Sequence, residues 1–125
     1  FASIDKNADR RKVAAVLEEQ GLKFGYATYW NGNIITELTN GKVEIANVGD
    51  GIYLDLFKWS SPMKYYAEDY AEGEVFLLLS AEELAEAETA GARTVEEGRV
   101  VYQDSDYTVF VYDSAAKLRS LAAER

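Results

Sequence analysis

Residues 23–48, KFGYATYWNGNIITELTNGKVEIANV, decide the fold, and two readings of them compete. In one, Asn31-Gly32 and Asn40-Gly41 are type I′ turns that join FGYATYW, NIITELT and KVEIANV into a three-stranded meander. In the other, Lys23 to Ala27 is a strand, Tyr29 to Asn40 a helix and Val43 to Val48 the next strand. Trp30, Ile34 and Leu38 recur every four residues, Ile35 widens that apolar stripe, and Asn33 and Glu37 fall on another face. Thr28 can cap the helix, and Gly41 stands where a left-handed residue would stop it. Gly32 opposes a helix by roughly 1 kcal/mol relative to Ala. A strand over the same residues would send Ile34 and Ile35 to opposite faces, which spoils the alternation of a half-buried strand. The balance favours strand, helix, strand, a βαβ unit whose crossover should be right-handed.

Outward from that unit the elements alternate. Asn7 can cap a helix through Gln20, with Val13, Val16 and Leu17 inward and Gly21 as its stop. Ile52 to Lys58 alternates as a strand or extended edge segment, and Ser61-Pro62 opens a short helix to about Tyr70. Glu74 to Leu79 is a continuous apolar run that reads as a buried strand. Ser80-Ala81-Glu82-Glu83 is a capping box that starts a helix to about Thr89, and Gly91 to Gly98 reads as a charged loop. Arg99 to Gln103 and Tyr107 to Tyr112 form a hairpin around Asp104-Ser105-Asp106, and Asp113 or Ser114 caps a last helix that turns Leu118, Leu121 and Ala122 inward. The expected fold is α/β: a single three-layer domain over residues 1–125, with a mixed, mostly parallel sheet, helices on both faces and a C-terminal antiparallel hairpin.

Composition removes several chemistries. The 125 residues, 48% hydrophobic, suffice for one sizeable core, and no apolar run approaches the roughly 20 residues of a membrane span. The chain opens on Phe1 without a charged leader or apolar signal core, so it reads as a segment of a longer protein. With no Cys and no His there are no disulfides, no thiol or Ser-His catalysis and no Cys-ligated zinc. Neither a dinucleotide nor a phosphate-binding glycine motif is present, and no cofactor is expected. A formal net charge of −9 argues against nucleic acid or an anionic membrane surface as a partner through a basic patch.

Three constellations remain. Tyr26, Tyr29, Trp30, Asn31 and Asn33 gather where the first strand hands over to its helix, and ligands of open α/β sheets bind at that edge. Aromatic rings beside amides suit a saccharide, whose C–H face stacks while its hydroxyls take hydrogen bonds; the plain alternative is core rings with turn and cap amides. Phe57, Trp59, Tyr65, Tyr66 and Tyr70 form a second aromatic group, read as cover for a sheet face or the wall of a cleft. Asp104 and Asp106 have the spacing of an aspartate pair that can hold a divalent cation, but a hairpin turn favours Asp and Ser for backbone reasons, so no metal is expected. Glu82, Glu83 and Glu86 read as the solvated face of their helix.

GYATYWNGNIITELTNGKVEIANV, then Trp59, VFLLLS and DYTVFVYDS together resemble the soluble C-terminal extracytoplasmic domain of bacterial polytopic membrane proteins that are glycosyltransferase-like, of the protein mannosyltransferase type. That resemblance runs from Gly25 to Ser114 and carries no catalytic motif onto this chain. It implies a non-catalytic accessory domain on the extracytoplasmic face of the cell membrane. Its partners would be the membrane-embedded part of its own polypeptide and a saccharide or lipid-linked sugar, with catalysis in the membrane part. The competing expectations are a stand-alone, carboxylate-based sugar-modifying enzyme and a protein-interaction module with no small ligand.

Overall fold

The computed structural model describes residues 6–28, 35–39, 41–49 and 73–122. Helix α1 (Lys6–Glu19) leads into strand β1 (Phe24–Thr28); residues 35–38 are helical and strand β2 (Glu44–Val48) follows. Strand β3 (Val75–Ser80) runs directly into helix α2 (Ala81–Thr89), then a short helix α3 (Arg93–Glu97). The hairpin of β4 (Arg99–Gln103) and β5 (Tyr107–Tyr112) precedes helix α4 (Ala115–Ser120).

The meander reading of the opening stretch is excluded, and residues 35–38 are helical as the strand-helix-strand reading expects; the rest of that expected helix, residues 29–34 and 40, lies outside the described residues. Strands β1 and β2 are direct parallel neighbours, Phe24 opposite Glu44 and Thr28 opposite Val48, so nothing intervenes as a meander would require. Buried Thr39 closes the helical residues onto β2: its Oγ1 donates to the Ile35 carbonyl at 3.0 Å and accepts the Val43 N–H at 3.2 Å. Gly41, at φ +76°, donates its N–H to the Thr36 carbonyl at 2.9 Å and turns the chain back, a conformation costly for a residue with a Cβ.

The described strands form one five-stranded sheet in the order β2-β1-β3-β5-β4. It is mixed, and the expected predominance of parallel pairing is corrected: β1 pairs in parallel with β2 and β3, while β5 pairs antiparallel with β3 and β4. Side-chain chemistry explains the order of the last three. Every residue of β5 (YTVFVY) is buried, so it takes the interior position, whereas β4 (RVVYQ) exposes Arg99, Val100 and Gln103 and takes an outer one. The β4–β5 register shifts between Val100 and Tyr102, leaving Val101 as a bulge.

Alternation along the strands divides the core into two clusters. Phe24, Tyr26, Leu77, Phe110 and Tyr112 pack with Ala115, Leu118 and Leu121 at α4. Gly25's neighbour Phe76, with Ala27, Leu78, Val109 and Val111, packs with Val13, Ala14 and Leu17 of α1 and with Ile35. The segment expected to be a loop from Gly91 to Gly98 contains α3. Its N-cap, Ala92, has no side-chain cap, but the buried Tyr112 hydroxyl donates to the Thr94 carbonyl at 2.5 Å and ties α3 to β5. The expected strand at 52–58 and the helix from Ser61 to Tyr70 lie outside the described residues.

Gly25 and Phe76 are opposite one another in β1 and β3, and a Cβ on Gly25 would stand only 2.4 Å from the Phe76 ring. The ring sits in the core, so it cannot swing into solvent to make room. Gly25→Ala should therefore cost about 1–3 kcal/mol in urea unfolding. Adding Phe76→Leu should recover part of that loss, because the two changes act on one contact.

Candidate functional site

The topology singles out one sheet edge. From the carboxyl end of β1 the chain goes to β2 on one side; from the carboxyl end of β3 it goes through α2 and α3 towards β4 on the other. The ends of β1 and β3, at Thr28 and Ser80, therefore flank a topological switch point, the position at which open α/β sheets form their ligand crevice. Ser80 closes this edge tightly. Its Oγ accepts the Glu83 N–H at 3.3 Å while Glu83 Oε1 accepts the Ser80 N–H at 2.8 Å, the reciprocal capping box expected from the sequence.

The β4–β5 turn reaches the same edge. Ser80 pairs with Tyr107, and the Ala81 N–H donates to the Asp106 carbonyl at 2.8 Å, so the turn Asp104–Asp106 abuts the start of α2. Within it Asp104 Oδ1 accepts the N–H groups of Asp106 at 2.7 Å and Tyr107 at 2.8 Å, and Oδ2 accepts the Tyr102 hydroxyl. Both carboxylate oxygens are thus engaged in building the turn. Among the described residues no group of three or more acidic side chains is placed to hold a metal ion. Glu82 and Glu86 are exposed, and Glu83 serves the cap.

Of the saccharide-type cluster, Tyr26 is described. It is 1% exposed, its ring meets Phe24 edge-on at 5.3 Å between centroids, and Arg119 of α4 donates from Nε to its hydroxyl at 3.4 Å. The Arg119 guanidinium carbon also stands 6.0 Å from the ring centroid, close enough for a cation–π contact. Tyr26 is thus a core ring with its polar tip held by Arg119, and its faces are taken by protein. Tyr29, Trp30, Asn31 and Asn33 lie outside the described residues, as do Phe57, Trp59, Tyr65, Tyr66 and Tyr70. Arg119 carried no signal in the sequence, since its contact with Tyr26 spans 93 positions and no local pattern encodes it.

Fold and edge together define a class, a mixed α/β domain with a switch point between two parallel strands. No protein family, no characterised protein and no solved structure is found to match the chain.

Asp104 gives this edge a pH dependence. Burial pushes its carboxyl up, but hydrogen bonds from Tyr102, Asp106 and Tyr107 and the charge of Lys12 outweigh that and hold it below the ordinary value of 3.8. A carboxyl depressed in the folded state stabilises the protein above its unfolded value and loses that contribution as pH falls through the folded one. The difference in urea midpoint between the native chain and Asp104→Asn should be constant above roughly pH 5 and shrink as the pH drops below about 4.

Proposed function

We propose that this chain is a non-catalytic accessory domain of a membrane glycosyltransferase-like protein, acting on the extracytoplasmic face of the cell membrane. Its role is to position a saccharide acceptor or lipid-linked sugar at the carboxyl edge of β1. One observation carries the reading: Tyr29, Trp30, Asn31 and Asn33 follow at once on Thr28, the last residue of the strand that has a parallel neighbour on each side. On this reading those rings and amides serve the switch-point edge, where a sugar's C–H face and hydroxyls can each find a partner. The same reading takes the fold as three layers; its support is that alternate strand residues pack with α1 in one cluster and with α4 in the other. The membrane part of the same polypeptide is the other partner proposed, on the strength of the sequence resemblance. A carboxylate enzyme is the weaker reading because Asp104, the best-placed acid at this edge, has both oxygens committed to its own turn.

Sugar binding replaces hydrogen bonds to water rather than adding to them, so a dissociation constant on the order of 1 mM is expected. Titration of the isotopically labelled domain with mannose-containing oligosaccharides should move amide resonances of Thr28, Ser80 and residues 29–33 in a saturable way. Asn31→Ala should abolish the effect while leaving spectral dispersion intact. Absence of saturable shifts at several times that concentration would leave the rest of its own polypeptide as the only partner.

A further inference from the structure

Helix α3 cannot support itself. It has five residues and no side-chain cap at Ala92, and a helix that short does not hold its own turns in water, so α3 is helical only while it is docked. Two ties hold it to the elements around it. Inside, the buried Tyr112 hydroxyl of β5 donates to the Thr94 carbonyl at 2.5 Å, and Val95 packs against the cluster that contains Phe110, Tyr112 and Leu118. Outside, Glu97 accepts from Lys117 of α4 at 3.5 Å, an exposed ion pair and therefore the weaker tie.

The ends of the segment differ. A Cβ on Gly98 would stand 2.7 Å from the Phe110 ring and 2.8 Å from both the Thr94 carbonyl oxygen and the Tyr112 hydroxyl oxygen, so the internal tie forms only over a bare backbone. Contacts that close are made or lost together. Gly91 is exposed at φ +66°, with nothing within 4 Å of where its Cβ would stand, so the chain is free to pivot there.

We propose that α3 is a flap, hinged at Gly91 and latched by the Tyr112 hydroxyl, which opens as a unit over residues 91–98 while the five-stranded sheet stays intact. Opening uncovers the Phe110 and Tyr112 end of the core cluster, an apolar surface that the closed domain does not present. The flap is thus a conformational device: it makes exposure of that surface depend on one internal hydrogen bond and not on unfolding of the domain.

The chain has no cysteine, so a single introduced thiol reports opening through its labelling by a chromogenic aromatic disulfide. Thr94→Cys and Val109→Cys each replace a side chain that is fully buried, the first in α3 and the second in β5. Thr94→Cys should label roughly 100-fold faster than Val109→Cys, at a rate that hardly changes in low urea, because only the flap has to open. Ala92→Cys, also in the flap, should label like Thr94→Cys and guards against a local effect of losing the Thr94 hydroxyl. Adding Tyr112→Phe, with spectral dispersion intact, should speed labelling of Thr94→Cys about tenfold, the worth of one hydrogen bond; Gly98→Ala should act in the same direction. Gly25→Ala weakens the whole fold from the other sheet face, so it should speed labelling of Val109→Cys and leave that of Thr94→Cys unchanged. The proposal is overturned if the two flap thiols label no faster than Val109→Cys, if Gly25→Ala speeds all three alike, or if neither Tyr112→Phe nor Gly98→Ala speeds labelling in the flap.

Discussion

Gly25 of β1 lies under the ring of Phe76, the residue opposite it in the parallel strand β3, and the pairing of the two strands depends on that space being left empty. Only a residue without a side chain lets a ring cross the strand so closely, so the largest apolar group on that face of β3 packs over β1 instead of beside it. With β3 fixed on one side of β1 and β2 on the other, the two connections leaving β1 and β3 must diverge. The switch point at the carboxyl ends of β1 and β3 follows from that divergence.

Much of this was legible where a local signal agreed with its tertiary surroundings. The capping box at Ser80 and Glu83, the apolar run from Val75, the hairpin around Asp104 and the stop at Gly41 each depend on residues within a few positions of one another, and each is found where its pattern placed it. What escaped depended on distance along the chain. Helix α3 has no side-chain cap to advertise it, and its hold on the fold comes from Tyr112, 18 residues from Thr94. Gly98, just beyond α3, belongs to the same contact: a Cβ there would stand 2.8 Å from the Tyr112 hydroxyl oxygen. The order β3-β5-β4 was equally hidden, because hydrophobic pattern fixes which strands are buried but not which neighbour a hairpin presents.

Tyr26 shows why the candidate site was only partly legible. Position in the sequence grouped it with the aromatics that follow, yet the period of two along β1 turns its ring towards Phe24 and α4. Burial pushes the Tyr112 hydroxyl's pKa up, and that hydroxyl's bond to a backbone carbonyl puts it in a similar situation. Both tyrosines extend a long ring through the core and end on a polar partner, so each joins strand to helix by packing and by one hydrogen bond. The acidic turn at Asp104 is likewise structural, with charge used to hold backbone amides in place.

The bulge at Val101 bears on what the outer strand can do in a crowded solution. A second chain laid against β4 could keep step with Arg99 and Val100 but would meet two residues where its own ladder provides for one, and from Tyr102 onward its hydrogen bonds would fall out of phase. Half-exposed Val100 is therefore available to touch another molecule without being able to template a growing stack of strands. A short irregularity in β4 thus disfavours strand addition at this one edge of the sheet, by backbone geometry and not by charge.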